Sequence, residues 1–277
     1  MPITPFPRRL ALGLFALAAM VILAACSEFN KALKSTDLDF KLKTAEKFHD
    51  TGKFDKAIPL LEELVALTRG TSLSERVNYL HAKSYFGMKD YTMSGYYLNN
   101  FTRTFPTSAY AEECAFLSAY CFYKNSPNYE LDQTDTRAAI DAMQLFLIRY
   151  PTSELKDSCN TLIDVLRAKL EVKEWHNAEQ YHTLRNYKAA GVALESFLRN
   201  WPNSRFREDA LYLAAESGFL LANGSVEELK PDRIRDAIKS CDNFAVAFPQ
   251  SDRSKSVEQM ASDLRGQAER ITKASTP

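Results

Sequence analysis

The sequence predicts an all-α fold, a superhelical array of five expanded helix-pair repeats. Three observations favour this class. A phrase of eight residues recurs four times along the 277-residue chain, at spacings of 45, 51 and 47 residues. The chain has only 9 glycines, which is few for a loop-rich sheet protein. It also has 17 phenylalanines and 13 tyrosines, and a stack of helices needs such bulky side chains between its layers.

The repeated phrase marks the end of one helix and the start of the next. It reads Phe, three residues, an aromatic, Pro, any residue, Ser, and it begins at Phe101, Phe146, Phe197 and Phe244. The proline cannot continue a helix, and it biases the aromatic before it away from helical geometry. Serine is a good N-cap, and the acidic residues that follow it complement the positive end of a helix. We therefore expect each serine to cap the next helix.

The residues before each proline predict a helix with one apolar face. The pattern is counted from five starting positions, and it places small, apolar or aromatic residues at offsets of 3, 7, 10 and 14. Steps of three and four lie on one side of a helix. Counted from Phe54, Tyr91, Thr136, Tyr187 and Ile234, the stripes are Ala57, Leu61, Leu64 and Thr68; Ser94, Leu98, Phe101 and Phe105; Ala139, Met143, Phe146 and Tyr150; Ala190, Leu194, Phe197 and Trp201; and Ala237, Cys241, Phe244 and Phe248.

A partner helix is expected before each stripe. An alanine and an aromatic stand nine and six residues before three of the starting positions, as Ala45 and Phe48 do before Phe54. This order of residues resembles the tetratricopeptide repeat, with spacings longer than its norm of about 34 residues. We count five repeats, at 38–70, 75–107, 110–151, 154–202 and 206–250.

A long helix and an insertion depart from the regular repeat and suggest how the array divides into halves. No helix breaker lies between Pro151 and Tyr187, so one helix of about 30 residues is expected there. An insertion at 124–135 lengthens the loop before the third stripe. We therefore predict an N-terminal half of three repeats at 38–151, and a C-terminal half at 152–277 with two repeats, a capping helix and a tail.

The N-terminus reads as a lipoprotein signal peptide, residues 1–25. Arg8 and Arg9 precede an apolar run that ends in LAAC at Cys26. That ending resembles the bacterial lipobox, in which the cysteine receives acyl chains such as palmitate and becomes the new N-terminus. A plain signal peptide with a chance cysteine is the alternative. Residues 26–37 would then be the lipidated N-terminus and a linker. Ser27, rather than Asp, follows the cysteine and favours the periplasmic face of the outer membrane.

Composition and motifs argue against nucleic-acid binding and against catalysis. The 35 Lys and Arg residues balance 35 Asp and Glu residues, which leaves no basic excess for nucleic acid. The chain has no Gly-rich phosphate loop, no HExxH and no GxSxG, and its 4 histidines are scattered. We expect a non-enzymatic protein without cofactor or metal.

Four cysteines follow Cys26. Cys114 and Cys121 are seven residues apart in a predicted helix, which is too far for a disulfide. Buried thiols are the simplest interpretation of all four. A disulfide of Cys159 or Cys241 stays open in an oxidising compartment.

First helices of stacked helix pairs line a concave face, where a binding groove is expected. In the tetratricopeptide family the groove uses positions 2, 5, 9 and 12 of each first helix. Aromatic rings there would contact aromatic side chains of a peptide, and cations would bind its C-terminal carboxylate; the alternative is that several of the rings pack between helices. The predicted groove residues are Arg76, Tyr79, Lys83, Phe86, Phe116, Tyr120 and Tyr123. The equivalents in the C-terminal half, expected to form a partner-docking surface, are Trp175, Glu179, His182, Tyr212, Glu216 and Phe219.

These features together resemble one protein family. A lipobox, a short linker, five expanded repeats and a long fourth-repeat helix are similar to the outer-membrane protein assembly factor BamD family. The Bacteroidetes-type members are the most similar, on the segments RGT at 69–71, FPTSAYAEE at 105–113, SPNYELDQTDT at 126–136 and LIDVLRAKLE at 162–171.

The resemblance implies a subunit of the β-barrel assembly machine of the outer membrane. The N-terminal repeats would bind the C-terminal signal of unfolded outer-membrane proteins, and the C-terminal repeats would dock on a BamA-type barrel. Other lipoproteins of the machine are expected partners, and the lipid anchor would hold the protein at the membrane. The resemblance implies no cofactor.

Two other functions fit the same fold. One is a different periplasmic repeat scaffold lipoprotein, for pilus or secretin assembly or for cell-wall coordination. The other is a glycan-binding outer-membrane lipoprotein, but such proteins are much longer and carry their aromatics in long loops. Here the aromatics follow the repeat period instead.

Overall fold

The computed structural model describes residues 28–274, and these residues are α-helical with no β-strand among them. The signal peptide, Cys26 and Ser27 therefore lie outside the described residues. A short helical stretch at 28–34 precedes the helices α1 (Leu38–Asp50), α2 (Phe54–Leu67), α3 (Ser74–Gly87), α4 (Tyr91–Thr104), α5 (Ala111–Asn125), α6 (Thr134–Arg149), α7 (Lys156–Thr183), α8 (Tyr187–Asn200), α9 (Arg207–Asn223), α10 (Lys230–Ala247) and α11 (Ser254–Ala274). A 3₁₀ turn, Glu227–Leu229, leads into α10.

The all-α class predicted from the repeat is confirmed. Three predicted starting positions, Phe54, Tyr91 and Tyr187, are the first residues of α2, α4 and α8. The other two lie inside their helices, because α6 begins at Thr134 and α10 at Lys230. The array-like succession of helices agrees with a tetratricopeptide-type fold, and the number of five repeats stays a prediction.

The predicted stripe forms the core. All fifteen residues at offsets 3, 7 and 10 are buried in the five helices that carry them. Leu61, Leu98, Met143 and Leu194, the large residues at offset 7, are all completely inaccessible to solvent. Burying one such side chain contributes about 1.5–3 kcal/mol. The stripe therefore accounts for much of the apolar packing of these helices.

The aromatic before each proline closes its helix. It is the residue directly after the helix, and its backbone N–H donates to the carbonyl of the residue four positions earlier, as Phe105 does to Phe101. The two rings then pack together, with centroids 5.1 Å apart for Phe101 and Phe105 and 5.2 Å apart for Phe146 and Tyr150. The partly buried second ring covers the end of the buried stripe.

The serine of the phrase does not sit at the N-cap as predicted. Each of the following helices begins three residues after its serine, as α5 does at Ala111 after Ser108. The hydroxyl oxygen instead accepts the backbone N–H two residues on, at 3.0 Å for Tyr110. Two successive backbone turns then lead into the helix, from Phe105 to Ser108 and from Ser108 to Ala111. The serine therefore caps this turn instead of the helix.

Three of these serine hydroxyls also join neighbouring helix pairs. Each donates to a glutamate near the start or middle of the preceding first helix: Ser108 to Glu75 at 2.6 Å, Ser204 to Glu171 at 2.5 Å and Ser251 to Glu208 at 2.7 Å. Each of these serine hydroxyls thus accepts a hydrogen bond from a backbone amide in its own turn and donates one to a glutamate of the preceding helix pair.

Three of the first helices are followed by a left-handed residue, two positions before the second helix begins. Gly52 (φ 72°), Lys89 (φ 63°) and Arg185 (φ 59°) occupy this position before α2, α4 and α8. Glycine adopts this geometry at no steric cost, whereas a residue with a Cβ does so at a cost of about 1–2 kcal/mol. The turns at Lys89 and Arg185 are therefore strained, whereas the turn before α2 avoids this strain by using Gly52.

The described residues divide into two compact units. The first comprises the residues up to Pro127 together with Asp132–Leu166, and the second comprises Asn128–Leu131 together with the residues from Arg167 onward. The division falls inside α7, which is a single helix of 28 residues as the missing helix breaker predicts. The predicted halves placed the boundary before this helix, at 151. Packing divides the helix because Cys159, Ile163 and Leu166 are buried in its first part, whereas Trp175 and Ala178 are buried in its second.

Part of the insertion at 124–135 is anchored on α7. The Lys173 ammonium donates to the backbone carbonyls of Tyr129 and Leu131, at 3.0 Å and 2.9 Å. The Tyr129 ring stacks on the His176 ring, with centroids 5.1 Å apart. Residues 128–131 thus belong by packing to the second unit, although their neighbours in sequence belong to the first.

All four cysteines after Cys26 are buried free thiols. Burial raises the pKa of Cys121 and of Cys241 to about 11, so these thiols stay protonated and unreactive at neutral pH. The disulfide that sequence left open is therefore absent from Cys159 and Cys241 in this structure. Within residues 28–274, no helix is both long and apolar enough to cross a membrane.

The left-handed turns predict opposite effects of two glycine-to-alanine changes. Gly52→Ala should lower the free energy of unfolding by about 1 kcal/mol, because the added Cβ meets no atom within 4 Å and only the backbone geometry opposes it. Gly191→Ala is the matched control: it also adds a Cβ in open space, but inside a helix, and should raise stability by up to about 1 kcal/mol. Lys89→Gly should also raise the free energy of unfolding, because glycine removes the strain of the left-handed geometry. Urea unfolding followed by circular dichroism measures all three, and equal signs for the two alanine variants would contradict the assignment of strain.

Candidate functional site

The seven predicted groove residues lie on two first helices. Four are on α3 and three are on α5, at helical spacings that place each set on one side of its helix. Every one of the seven is half-buried, neither in the core nor fully exposed. We call this set, Arg76, Tyr79, Lys83, Phe86, Phe116, Tyr120 and Tyr123, the α3–α5 face.

Four of the five aromatic rings of the α3–α5 face form a cluster around Tyr120. Centroids are 6.2 Å apart for Phe86 and Tyr120, 6.0 Å for Phe116 and Tyr120, and 5.4 Å for Tyr120 and Tyr123. Phe116 also packs on Phe146 of α6, at 5.8 Å. The rings therefore share their surface between inter-helix packing and solvent, and their role in a groove stays a prediction.

The two cations of the α3–α5 face already have acidic partners. Arg76 Nε lies 2.9 Å from Glu46 Oε1, and Lys83 Nζ lies 2.5 Å from Glu113 Oε1. That they bind a C-terminal carboxylate stays a prediction. An incoming carboxylate would have to compete with Glu46 and Glu113 for these cations.

Glu113 organises this end of the face, and sequence reasoning assigned it only a role at the helix start. Besides Lys83, it accepts the phenol hydrogen bond of Tyr79 at 2.8 Å. Burial first, and then the hydrogen bond and charge of Glu113, hold the pKa of Tyr79 well above its usual value. Tyr110, which was also missed, stacks on Tyr79 at 4.1 Å. Glu113 lies in the first turn of α5 and faces α3, which only the packing of the two helices shows.

Trp175, predicted for the second contact surface, is a core residue instead. Its side chain is 5 % exposed, and it lies in the hydrophobic cluster of the second unit. The indole stacks on Phe206 with centroids 5.2 Å apart and planes 5° apart, and it packs on Phe197 at 5.7 Å. The prediction failed because α7 and α9 turn this position inward, onto the buried stripe of α8.

The other five residues of that surface are half-buried, and most belong to a polar network. His182 contacts Ser217 through Nδ1 at 2.9 Å and Glu216 through Nε2 at 3.1 Å. Tyr212 donates to Glu216 at 3.4 Å. Glu179 lies apart from this network and contacts His176 at 3.0 Å, and Phe219 packs against the core of α9, α10 and α11.

Acidic, histidine and cysteine side chains are common protein ligands of metal ions. Within residues 28–274, no group of three or more of these side chains converges in a geometry that holds a metal ion. The two surfaces described above are built from rings and paired charges.

Comparisons with known proteins agree with this picture. The family model YfiO, described as outer membrane lipoprotein, matches residues 41–191 and 178–270. The chain belongs to this family. A protein of Aquifex aeolicus (strain VF5), provisionally named an outer membrane protein assembly factor BamD, is 26% identical over 220 residues, which cover 79% of this chain and 70% of that protein. The resemblance to the BamD family is thus confirmed, and the family description associates the chain with the outer membrane.

The role of Glu113 predicts a change in the titration of one tyrosine. Glu113→Gln should lower the pKa of Tyr79 towards its usual value, because the negative charge and its hydrogen bond are lost while burial remains. Stability should fall by about 1 kcal/mol, since the Lys83 pair and the phenol bond both weaken.

NMR titration of tyrosine ring carbons measures the pKa, and urea unfolding measures the stability. Glu112→Gln is the matched control, because Glu112 is an exposed neighbour that makes no hydrogen bond or ion pair with the described residues. An unchanged pKa of Tyr79 in Glu113→Gln would contradict the assigned contact.

Proposed function

We propose that this protein is a non-enzymatic, lipid-anchored subunit of the machine that assembles β-barrel proteins in the outer membrane. Family membership supports the outer membrane and the assembly role, and the provisional name of the Aquifex aeolicus relative points to the same machine. In this proposal the helices form a superhelical array of five tetratricopeptide repeats. Cys26 carries the acyl chains and holds the array on the periplasmic face.

The α3–α5 face would bind the C-terminal signal of unfolded outer-membrane proteins. The observation that supports this is the row of half-exposed rings from Phe86 through Tyr120 to Tyr123. Rings that are packed on one side and exposed on the other offer apolar contact with little loss of side-chain entropy on binding. Glu113 and Glu46 keep the cations paired, so apolar contacts rather than a carboxylate would supply most of the affinity.

The C-terminal half would dock on the periplasmic part of a BamA-type barrel and on other lipoproteins of the machine. The half-buried network of His182, Glu216 and Tyr212, together with Glu179 and Phe219, supports this surface. Trp175 is not part of it, because its ring is in the core.

A different periplasmic scaffold, for pilus or secretin assembly or for cell-wall coordination, would share the anchor and the fold. Identification of the proteins that co-purify with a C-terminally tagged chain from gently solubilised outer membranes separates the two functions. A large barrel protein with repeated periplasmic domains is the expected partner. Recovery of secretin, pilus or cell-wall proteins in its place would overturn the proposed function.

The α3–α5 face predicts a loss of peptide binding without a loss of folding. Phe86→Ala combined with Tyr120→Ala should weaken binding of a barrel C-terminal peptide by about tenfold, because two aromatic contacts are removed. Fluorescence anisotropy of a labelled peptide measures the affinity, and circular dichroism measures the helix content.

Tyr96→Ala is the control for this experiment, since Tyr96 is 66 % exposed on α4 and lies outside the face. A melting temperature that falls in step with the affinity would show that the rings of Phe86 and Tyr120 serve packing alone.

The anchor predicts a change in localisation. Cys26→Ala should release the protein into the soluble periplasmic fraction or leave its signal peptide uncleaved, because the acceptor of the acyl chains is gone. Membrane fractionation and mass spectrometry of the N-terminus measure the result, with Thr36→Ala in the linker as the control. Full membrane retention of a cleaved Cys26→Ala chain would contradict lipidation.

A further inference from the structure

The second unit contains a trough of about 460 Å³ between α8, α9 and α10. Four small residues are among those that line it: Gly191, Ala214, Gly218 and Ser240. Apolar side chains such as Leu221 and charged ones such as Lys188, Arg233 and Lys239 also line it. The residues of the trough differ from those of the α3–α5 face and of the network around His182.

The same three-helix arrangement occurs in the first unit, in α2, α3 and α4. His49 contacts Ser84 through Nδ1 at 2.9 Å, and 133 residues later His182 contacts Ser217 through Nδ1 at the same distance. The first residues of α2 and α8, at 54 and 187, are also 133 apart. The buried aromatics at offset 10 of α4 and α10, residues 101 and 244, are 143 apart. These pairs set the register between the two arrangements.

In the first unit, large side chains fill the positions that form the trough in the second. The counterparts of Gly191, Ala214 and Gly218, 133 residues earlier, are Ile58, His81 and Tyr85, and the counterpart of Ser240, 143 residues earlier, is Tyr97.

Three of these side chains, His81, Tyr85 and Tyr97, pack together as a cluster of rings, which we call the plug. The His81 ring lies 5.2 Å from the Tyr85 ring and 4.4 Å from the Tyr97 ring, and these two tyrosine rings stack at 5.3 Å. Ile58 and His81 are buried at 7 % and 3 % exposure. The Tyr85 phenol donates to the Glu62 carboxylate at 2.7 Å.

The trough has an acid at the position of Glu62 but no tyrosine at the positions of Tyr85 and Tyr97. Glu195, the counterpart of Glu62, lines the trough, and it makes no hydrogen bond or ion pair with the described residues. This solvent-exposed acid therefore stands in the second unit where the first unit has the acceptor of a tyrosine hydroxyl.

The trough has two glycines, Gly191 and Gly218, and the packing of the chain itself explains only Gly218. A Cβ at Gly218 would stand 3.1 Å from the Ala237 Cα, so this glycine lets α9 and α10 approach closely. A Cβ at Gly191 would meet nothing within 4 Å, although a glycine inside a helix lowers stability by about 0.5–1 kcal/mol. Close approach of a bound group to the backbone of α8 is a use for glycine that the chain's own packing does not supply.

We propose that the trough between α8, α9 and α10 binds tyrosine side chains of a partner polypeptide, in the place that Tyr85 and Tyr97 occupy within the first unit. The bound ring replaces the missing plug between Gly191, Ala214 and Ser240, and its hydroxyl donates to Glu195. The site stands on the internal comparison alone and does not rest on the proposed function, so either can fail without the other.

Titration with a peptide tests this site. The probes are acetylated, amidated pentapeptides of sequence Ala-Tyr-Ala-Tyr-Ala and Ala-Phe-Ala-Phe-Ala, added to the isotope-labelled full chain in detergent. The tyrosine peptide should cause saturable shifts of the backbone amide signals of Gly191, Gly218 and Ser240. Glu195→Gln should weaken the tyrosine peptide about threefold to tenfold and leave the weaker phenylalanine peptide unchanged, because only the phenol donates to the acid.

Restoring the plug within the chain should abolish binding. Ser240→Tyr places a ring where Tyr97 stands in the first unit, and Gly191→Ile restores the counterpart of Ile58; each should remove the saturable shifts while circular dichroism stays helical. Ser256→Tyr, an exposed position on α11, is the matched control and should bind as the parent does. Absence of saturable shifts at about 1 mM tyrosine peptide, or undiminished binding by both folded plug variants, would overturn the proposal.

Discussion

Burial of one apolar stripe on each second helix is the constraint on which the rest of this structure depends. The stripe residues at offsets 3, 7 and 10, from Ala57 to Phe244, are all buried. A single helix pair cannot bury such a stripe by itself, so the next first helix must pack over it. Every later feature, including the turns, the rings at the helix ends and the serine–glutamate bonds, lies where it does because that packing repeats.

The stripe occupies one side of each helix and leaves other sides outside the core. On α3 and α5 the free side carries rings that pack only in part, and this combination gives a surface both rigid and apolar. On α8, α9 and α10 the free side is a trough, since small residues stand where the first unit has Ile58, His81, Tyr85 and Tyr97. The two units thus differ at equivalent positions: in the first, its own large side chains fill the space between the three helices, and in the second that space is open.

Acidic side chains near the starts of first helices have a role beyond the helix dipole. Glu75 and Glu208 accept the hydroxyls of Ser108 and Ser251, and Glu113 accepts Tyr79 and Lys83. In each case the acid joins its helix to a neighbouring helix or turn. The same groups that favour helix initiation therefore also set how successive pairs pack, which makes the surface near α3 and α5 more polar than its rings alone suggest.

The sequence by itself determined the helical class, the buried stripes, three helix starts and the long unbroken α7. These follow from periodicity and from proline, which act within a few residues of chain. Only the tertiary structure decided that Trp175 is buried, that Arg76 and Lys83 are already paired, and that each phrase serine sits in a turn three residues before its helix. The trough, too, emerged only when two distant sets of helices were brought into register. The reason is physical: a helix pattern gives the side of a residue to within about one position, whereas burial and pairing depend on which neighbouring helix covers that side.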